Sequence, residues 1–556
     1  MEPTTEKRSQ TQEVEALEHH QPKDKVSIAE GDLDVGASIV QAQEDTHYTE
    51  EEKSKVLRKI DWHIIPLAAW ACGLQFVDKS GLGAAATYGL RDDLGLVGQE
   101  YSWCVSIFYF GYLGGSFVSG RALQYFHAGK VIGWAYFFWG CTLLGCVGAH
   151  NYATLLALRF LLGLFESALV PGLLLITTMW YRQQEQSLRF GLWTVTNGIM
   201  PVPFLIIYWG LGHVKSGPLV AWRLIFLLLG LLSCLTGILL YFLMPDSPVT
   251  VKWLNEREKA IAIRRLVDDQ LGVKNVHFKW NQLKESLLDY RFWMMVLQMF
   301  FSQAAGNVTT NFLGIIIKGF GYTALKAQLY TAPNFAVQAV TQLIVSTPPT
   351  LLPRFRNMKQ PLVAIASCIA VIGIVILYVT PAEPQYQGRR LASVIIISCS
   401  GANYTVIMAV IGTNTAGFTR KQISTSTAFF LYCVVNIITP QTFLGTESPR
   451  YHTGLAFVLA FVSIYISLSF STWLMMRLVN SRRDRKALTN PAYATGDANL
   501  DEMSALRLAK QAFQVFGVEN VNDTVRTGSR RGPQQRAKPF LLLIGRLQRA
   551  YCQGLV

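Results

Sequence analysis

The feature that most constrains this chain is the recurrence of apolar stretches of about 20 residues, the length a helix needs to cross a bilayer. Twelve of them run roughly over 64–86, 101–121, 131–149, 152–180, 190–212, 220–244, 292–317, 327–349, 360–380, 390–412, 422–445 and 453–477. A β-barrel is excluded, because its strands alternate over about ten residues instead of running apolar for twenty. Charge is confined to the gaps. Residues 1–59, 246–291 and 480–556 carry 22, 16 and 19 charged residues, which leaves 29 over the other 374. Those 374 residues are thus about 8% charged, against about 25% in a soluble domain. The reading is an all-α membrane protein with twelve transmembrane helices.

The stretches fall into two sets of six, residues 60–245 and 292–479, separated by a charged central loop, 246–291. Two six-helix halves about a central polar loop is the layout of the major facilitator fold. Residues 1–59 lack the apolar content to fold alone and read as a disordered tail. They hold no short apolar core near the start, so no signal peptide is expected. Residues 480–556 read as a second tail. Lys and Arg are concentrated in the central loop, on the loops of the same side, and after the last stretch at Arg482, Arg483, Arg485 and Lys486. That bias places both termini in the cytoplasm. The net charge of +14 then needs no nucleic acid to explain it. Eight of nine cysteines lie in apolar stretches and no CxxC pair exists, so neither a zinc site nor a redox dithiol is indicated. There is no GxxxxGK[ST] loop for ATP and no HExxH. An enzyme, a cofactor and a metal are therefore not expected.

Several segments carry a more specific signal. They are Gln75-Phe-Val-Asp78-Lys79-Ser80 in span 1, Tyr101-Ser-Trp103 and Phe108-Tyr109 in span 2, and Arg159-Phe-Leu-Leu-Gly163-Leu-Phe-Glu166 with Pro171-Gly172 in span 4. Pro245-Asp246-Ser247-Pro248 ends span 6, Asn414-Thr-Ala-Gly417-Phe-Thr-Arg420-Lys421 follows span 10, and Asn436-Ile-Ile-Thr-Pro440-Gln441 lies in span 11. In this order and spacing, over residues 57–483, the chain resembles the fungal allantoate permease family, an anion:cation symporter branch of the major facilitator superfamily. The resemblance implies a fungal source and proton-coupled uptake of small organic anions such as allantoate, ureidosuccinate, nicotinate, pantothenate or biotin. The tail beyond Asn490 departs from the family pattern: it is basic and holds a short apolar patch, Pro539-Phe-Leu-Leu-Leu-Ile544, too short to span a membrane.

Ionisable groups at bilayer depth cost about 2.5–3.5 kcal/mol each on insertion scales and generally face a cavity. Four stand out: Asp78 and Lys79 in span 1, Arg159 and Glu166 in span 4. Arg159 and Glu166 are two turns apart on one helix face, about 10.5 Å of rise. If spans 1 and 4 touch, Asp78 can pair with Arg159, with Glu166 farther from the cations. A guanidinium binds a carboxylate in a bidentate fork, so protonation of Asp78 would free Arg159 for a substrate carboxylate. The family resemblance assigns the same roles, with Asp78 and Glu166 as proton carriers and Arg159 as the carboxylate clamp. Lys79 stands where bacterial relatives of the wider branch have Arg and is a substrate-binding candidate beside Arg159, as a point charge that need not reproduce bidentate contact. A static ion-pair network holding spans 1 and 4 together is the alternative.

Polar residues of the second half complete the candidate substrate site. Gln303, Asn307 and Asn311 form one face of span 7, Asn334 and Gln338 repeat the spacing on span 8, and Asn403, Tyr404, Tyr432 and Asn436 lie on spans 10 and 11. Each can hydrogen-bond an amide or ureido group, or simply bridge helices. Arg121 and Lys130 bracket the span 2–3 loop, as gating charges or as cytoplasmic anchors. The expected function is proton-coupled uptake of a small organic anion by alternating access, by a monomer in the plasma membrane. Export of a secondary metabolite and nutrient sensing without transport are the alternatives.

Overall fold

The computed structural model describes residues 48–214, 219–269, 280–351, 358–415 and 418–489. The apolar patch near the C-terminus and most of both tails lie outside the described residues. Among the described residues every regular element is a helix. Nine helices are long and apolar enough to cross a membrane. The other three expected spans are also helices, Glu100–Tyr125, Tyr290–Asn311 and Ala332–Leu351. They are less apolar because they spend positions on Gly, Ser, Thr, Asn and Gln. These same three helices contribute polar residues to the central cavity described below.

The first helix runs Glu50–Thr87, so residues 50–59 are not part of a disordered tail. Thr49 and Glu52 cap it reciprocally, and three glutamates fill its first turn, where the helix dipole favours negative charge. This early start is held from outside. Arg257 reaches Glu52 at 2.9 Å and Lys59 reaches Glu258 at 2.7 Å. The partners Arg257 and Glu258 lie on a helix, Glu256–Asp269, within what reads as a loop in the sequence. Arg265 of that helix also binds Glu185 at 2.7 Å, and Trp253 stacks between His63 and Trp180. A second helix, Trp280–Leu288, follows in the same segment.

Several spans are broken, and proline explains the clearest breaks. Span 4 consists of Tyr152–Glu166 and Leu169–Trp180. Pro171 has no N–H to give the Ser167 carbonyl and its ring crowds it. The Ser119 hydroxyl of span 2 donates to that carbonyl instead, at 3.4 Å. Span 5 restarts at Pro201 in the helix Pro201–Leu211. Span 10 passes through a tighter 3-10 turn, Ser398–Ala402, between Gln387–Ile397 and Asn403–Asn414.

Spans 2 and 4 approach almost to backbone contact. A Cβ at Gly111 would lie 2.0 Å from the Phe160 carbonyl oxygen, and one at Gly163 would lie 1.9 Å from that of Phe108. Only glycine permits this spacing. Gly114 and Gly120, on the same helix, meet nothing within 4 Å and do not serve this packing.

At one end of the bundle the two halves are joined. The Tyr101 hydroxyl donates to the Asn311 carbonyl at 2.7 Å, and the Ser106 hydroxyl donates to the Ile437 carbonyl at 2.8 Å. Gln441 donates in turn to Ser106 at 2.9 Å. About one turn deeper, at Tyr109 and Asn436, a cavity of about 150 Å³ begins between the halves.

Candidate substrate site

Asp78, Arg159 and Glu166 are buried and Lys79 is partly buried beside them, but the pairing differs from expectation. Lys79 Nζ lies 2.8 Å from Glu166 Oε1. Gln75, one turn earlier on span 1, donates to the same oxygen at 2.7 Å. Glu166 is therefore not the acid farther from the cations; it is the one in an ion pair. It stands at the last residue of Tyr152–Glu166, where the span breaks.

Asp78 and Arg159 form no ion pair. Asp78 accepts instead from the indole N–H of Trp139 on span 3, at 3.1 Å, and its second oxygen has no hydrogen-bond partner among the described residues. Arg159 lies over the Phe108 ring, 5.8 Å from its centroid. Asp78, Lys79 and Arg159 share the wall of a small chamber of about 10 Å³, close to the volume that one water needs. The one hydrogen bond to the Asp78 carboxylate among the described residues thus comes from Trp139, on a third helix, and not from Arg159.

Lys79 alone of the four lines both the chamber and the large cavity. Its ammonium also sits over Tyr112 and Phe108, at 5.3 and 5.7 Å from the ring centroids. Its side chain keeps 17% exposure while that of Glu166 keeps none. An ammonium has three donors, so Lys79 can hold Glu166 and still present N–H to a cavity ligand. Formally the four charges sum to zero.

The second half supplies polar wall without charge. Gln303, Asn307, Tyr432 and Asn436 line the cavity, as do Gln338 and Tyr404. Asn311 does not; it lines the small chamber and donates to the Asn307 carbonyl at 3.2 Å. Asn307 donates to Asn436 Oδ1 at 2.9 Å, joining spans 7 and 11. Asn334 accepts from Ser398, and Asn403 from Ser367, so these two act as interhelical bridges. Of the two expected gating residues, Arg121 hydrogen-bonds Gln124 on its own helix and Lys130 is exposed.

Gln75 and Trp139 went unassigned in the sequence reading. Gln75 carries a signal there, a polar residue in an apolar run one turn from Asp78. Trp139 carries none, since tryptophan is at home in any apolar span. Trp193, Asn197, Gln342 and Ser400 also line the cavity.

Residues 68–440 match the sequence model of the Major Facilitator Superfamily. An uncharacterised transporter of Schizosaccharomyces pombe is 31% identical over 85% of this chain and 90% of its own length. The allantoate permease of Saccharomyces cerevisiae is 29% identical over 84% of this chain and 87% of its own. The fold is similar to that of the D-xylose–proton symporter, with a TM-score of 0.56 and 14% identity over 74% of this chain and 97% of that one. The chain therefore belongs to the major facilitator superfamily, among its fungal members similar to the allantoate permease, and is a multi-pass secondary transporter, not an enzyme.

Proposed function

We propose that this transporter couples the uptake of a small organic anion to protons, as a monomer in the plasma membrane with both termini in the cytoplasm. The observation that carries the reading is the Lys79–Glu166 ion pair at the wall of the central cavity. A carboxylate entering the cavity competes with Glu166 for Lys79. Buried charge is tolerated only when paired, and the cluster is already neutral. Adding a substrate carboxylate alone leaves one negative charge in excess; adding it with a proton on Glu166 restores balance. Protonation therefore releases Lys79 to the substrate, and substrate departure returns Lys79 to an ionised Glu166. Lys79 takes over the clamp role first given to Arg159, because Arg159 faces the small chamber and not the cavity. Asp78 is the second proton carrier in this scheme, held by Trp139. The hydrogen bonds around Ser106 close one end of the path, and rocking of the halves would open it.

The test is uptake of labelled allantoate and related carboxylates by permease-deficient yeast expressing the chain. The reading expects uptake that rises with external acidity and collapses with a protonophore. Accumulation of label outside preloaded cells would instead make the chain an exporter. Growth signalling with no flux in either direction would make it a sensor.

A further inference from the structure

Resting on the reading of the cavity as an organic-anion site, we infer that its substrate is a singly charged carboxylate with a flat, uncharged ring body. Two independent features converge. First, Lys79 is the sole charged residue among the described residues lining the cavity. The second-half wall offers amides and hydroxyls, so a second carboxylate on the ligand would be buried unpaired. Arg159 does not answer this need, because it lines the separate small chamber with Phe108.

Second, the surroundings of Lys79 are aromatic on both halves. Tyr112 packs on Phe429 at 5.2 Å, Phe429 stacks with Tyr432 at 6.1 Å, and Tyr109 and Tyr404 meet Tyr432 edge-on at 6.0 and 5.6 Å. A ligand whose carboxylate is on Lys79 has its body among these rings, where a planar group stacks and a puckered one does not.

The test is ligand binding by the purified full-length chain in nanodiscs, read as protection against thermal unfolding and by titration calorimetry. The probes are benzoate, cyclohexanecarboxylate, phthalate and benzamide. Benzoate is expected to bind about three- to tenfold more tightly than cyclohexanecarboxylate, the size of an aromatic contact. Phthalate is expected to bind at least about tenfold more weakly than benzoate. Phe429→Leu should bring benzoate and cyclohexanecarboxylate to equal affinity. Equal affinity of those two for the unaltered chain overturns the ring preference, and equal affinity of phthalate and benzoate overturns the single charge; in both cases the organic-anion reading stands. Benzamide binding as tightly as benzoate, or none of the four binding, overturns that reading and this inference together.

Discussion

Lys79 and Glu166, 2.8 Å apart and on spans 1 and 4, form the one ion pair between the two spans among the described residues, and only its lysine reaches the central cavity. The pair is thus asymmetric: the acid is sealed, the base is accessible. A pair that existed only to hold helices would gain nothing from leaving one member open to the cavity.

The first prediction separates coupling from scaffolding. Glu166→Gln leaves a neutral hydrogen-bonding group that Gln75 and Lys79 can still contact, but it cannot carry a proton. Substrate exchange between the two sides should persist, while uptake driven by a pH gradient should vanish. Lys79→Gln should abolish both. The Glu166→Gln protein should also lose roughly 3 kcal/mol of stability, the low end for a broken buried pair because Lys79 is partly accessible. Full pH-driven uptake by Glu166→Gln would remove Glu166 from the coupling role.

A second prediction concerns Trp139. Among the described residues its indole is the one hydrogen-bond donor to the Asp78 carboxylate. Trp139→Phe should cost about 1.5–3 kcal/mol, the range for a hydrogen bond to a charged group. In an Asp78→Asn background the same substitution should cost less, and the difference between the two is the interaction itself. Thermal unfolding of the four proteins closes the cycle. Equal costs in both backgrounds would mean that Trp139 matters only as packing.

The third prediction tests the backbone approach of spans 2 and 4. Gly111→Ala forces a methyl against the Phe160 carbonyl, where 2.0 Å is available. No rotamer relieves this, so the helices must separate along the face that carries Arg159 and Glu166. Gly111→Ala should fail to accumulate as folded protein, whereas Gly114→Ala, with open space around it, should express and transport normally. Size-exclusion profiles of the two variants give the answer.

These residues also show what the sequence makes legible. Apolar run length identifies the spans, because hydrocarbon thickness sets a length that composition must satisfy. Buried charge is equally legible, since Asp78, Lys79, Arg159 and Glu166 interrupt runs that otherwise exclude charge. Partner choice is not. Spacing along span 4 puts Arg159 and Glu166 on one face, yet which of them meets Lys79 depends on how far spans 1 and 4 slide past each other. That offset depends on how each span packs on its other neighbours, as span 4 does on span 2 at Phe160 and Gly111, which no periodicity encodes. The same holds for the amides: Gln303 and Asn334 look alike in sequence, but one lines the cavity and the other bonds Ser398.

The last prediction addresses the closed end of the path. Ser106 accepts from Gln441 and donates to the Ile437 carbonyl, so one hydroxyl of the first half ties down two positions of span 11. Ser106→Ala removes both bonds with a minimal change in volume. Each net hydrogen bond contributes about 1 kcal/mol, so losing both should shift the balance between closed and open ends by roughly thirtyfold. Spin labels at the exposed positions Val97 and Thr446, on connecting segments of opposite halves at this end, should report a longer-distance population that the unaltered chain lacks or holds at a lower level. An unchanged distance distribution in Ser106→Ala would show that the aromatic packing around Phe312 and Phe443, and not this hydroxyl, keeps the end shut.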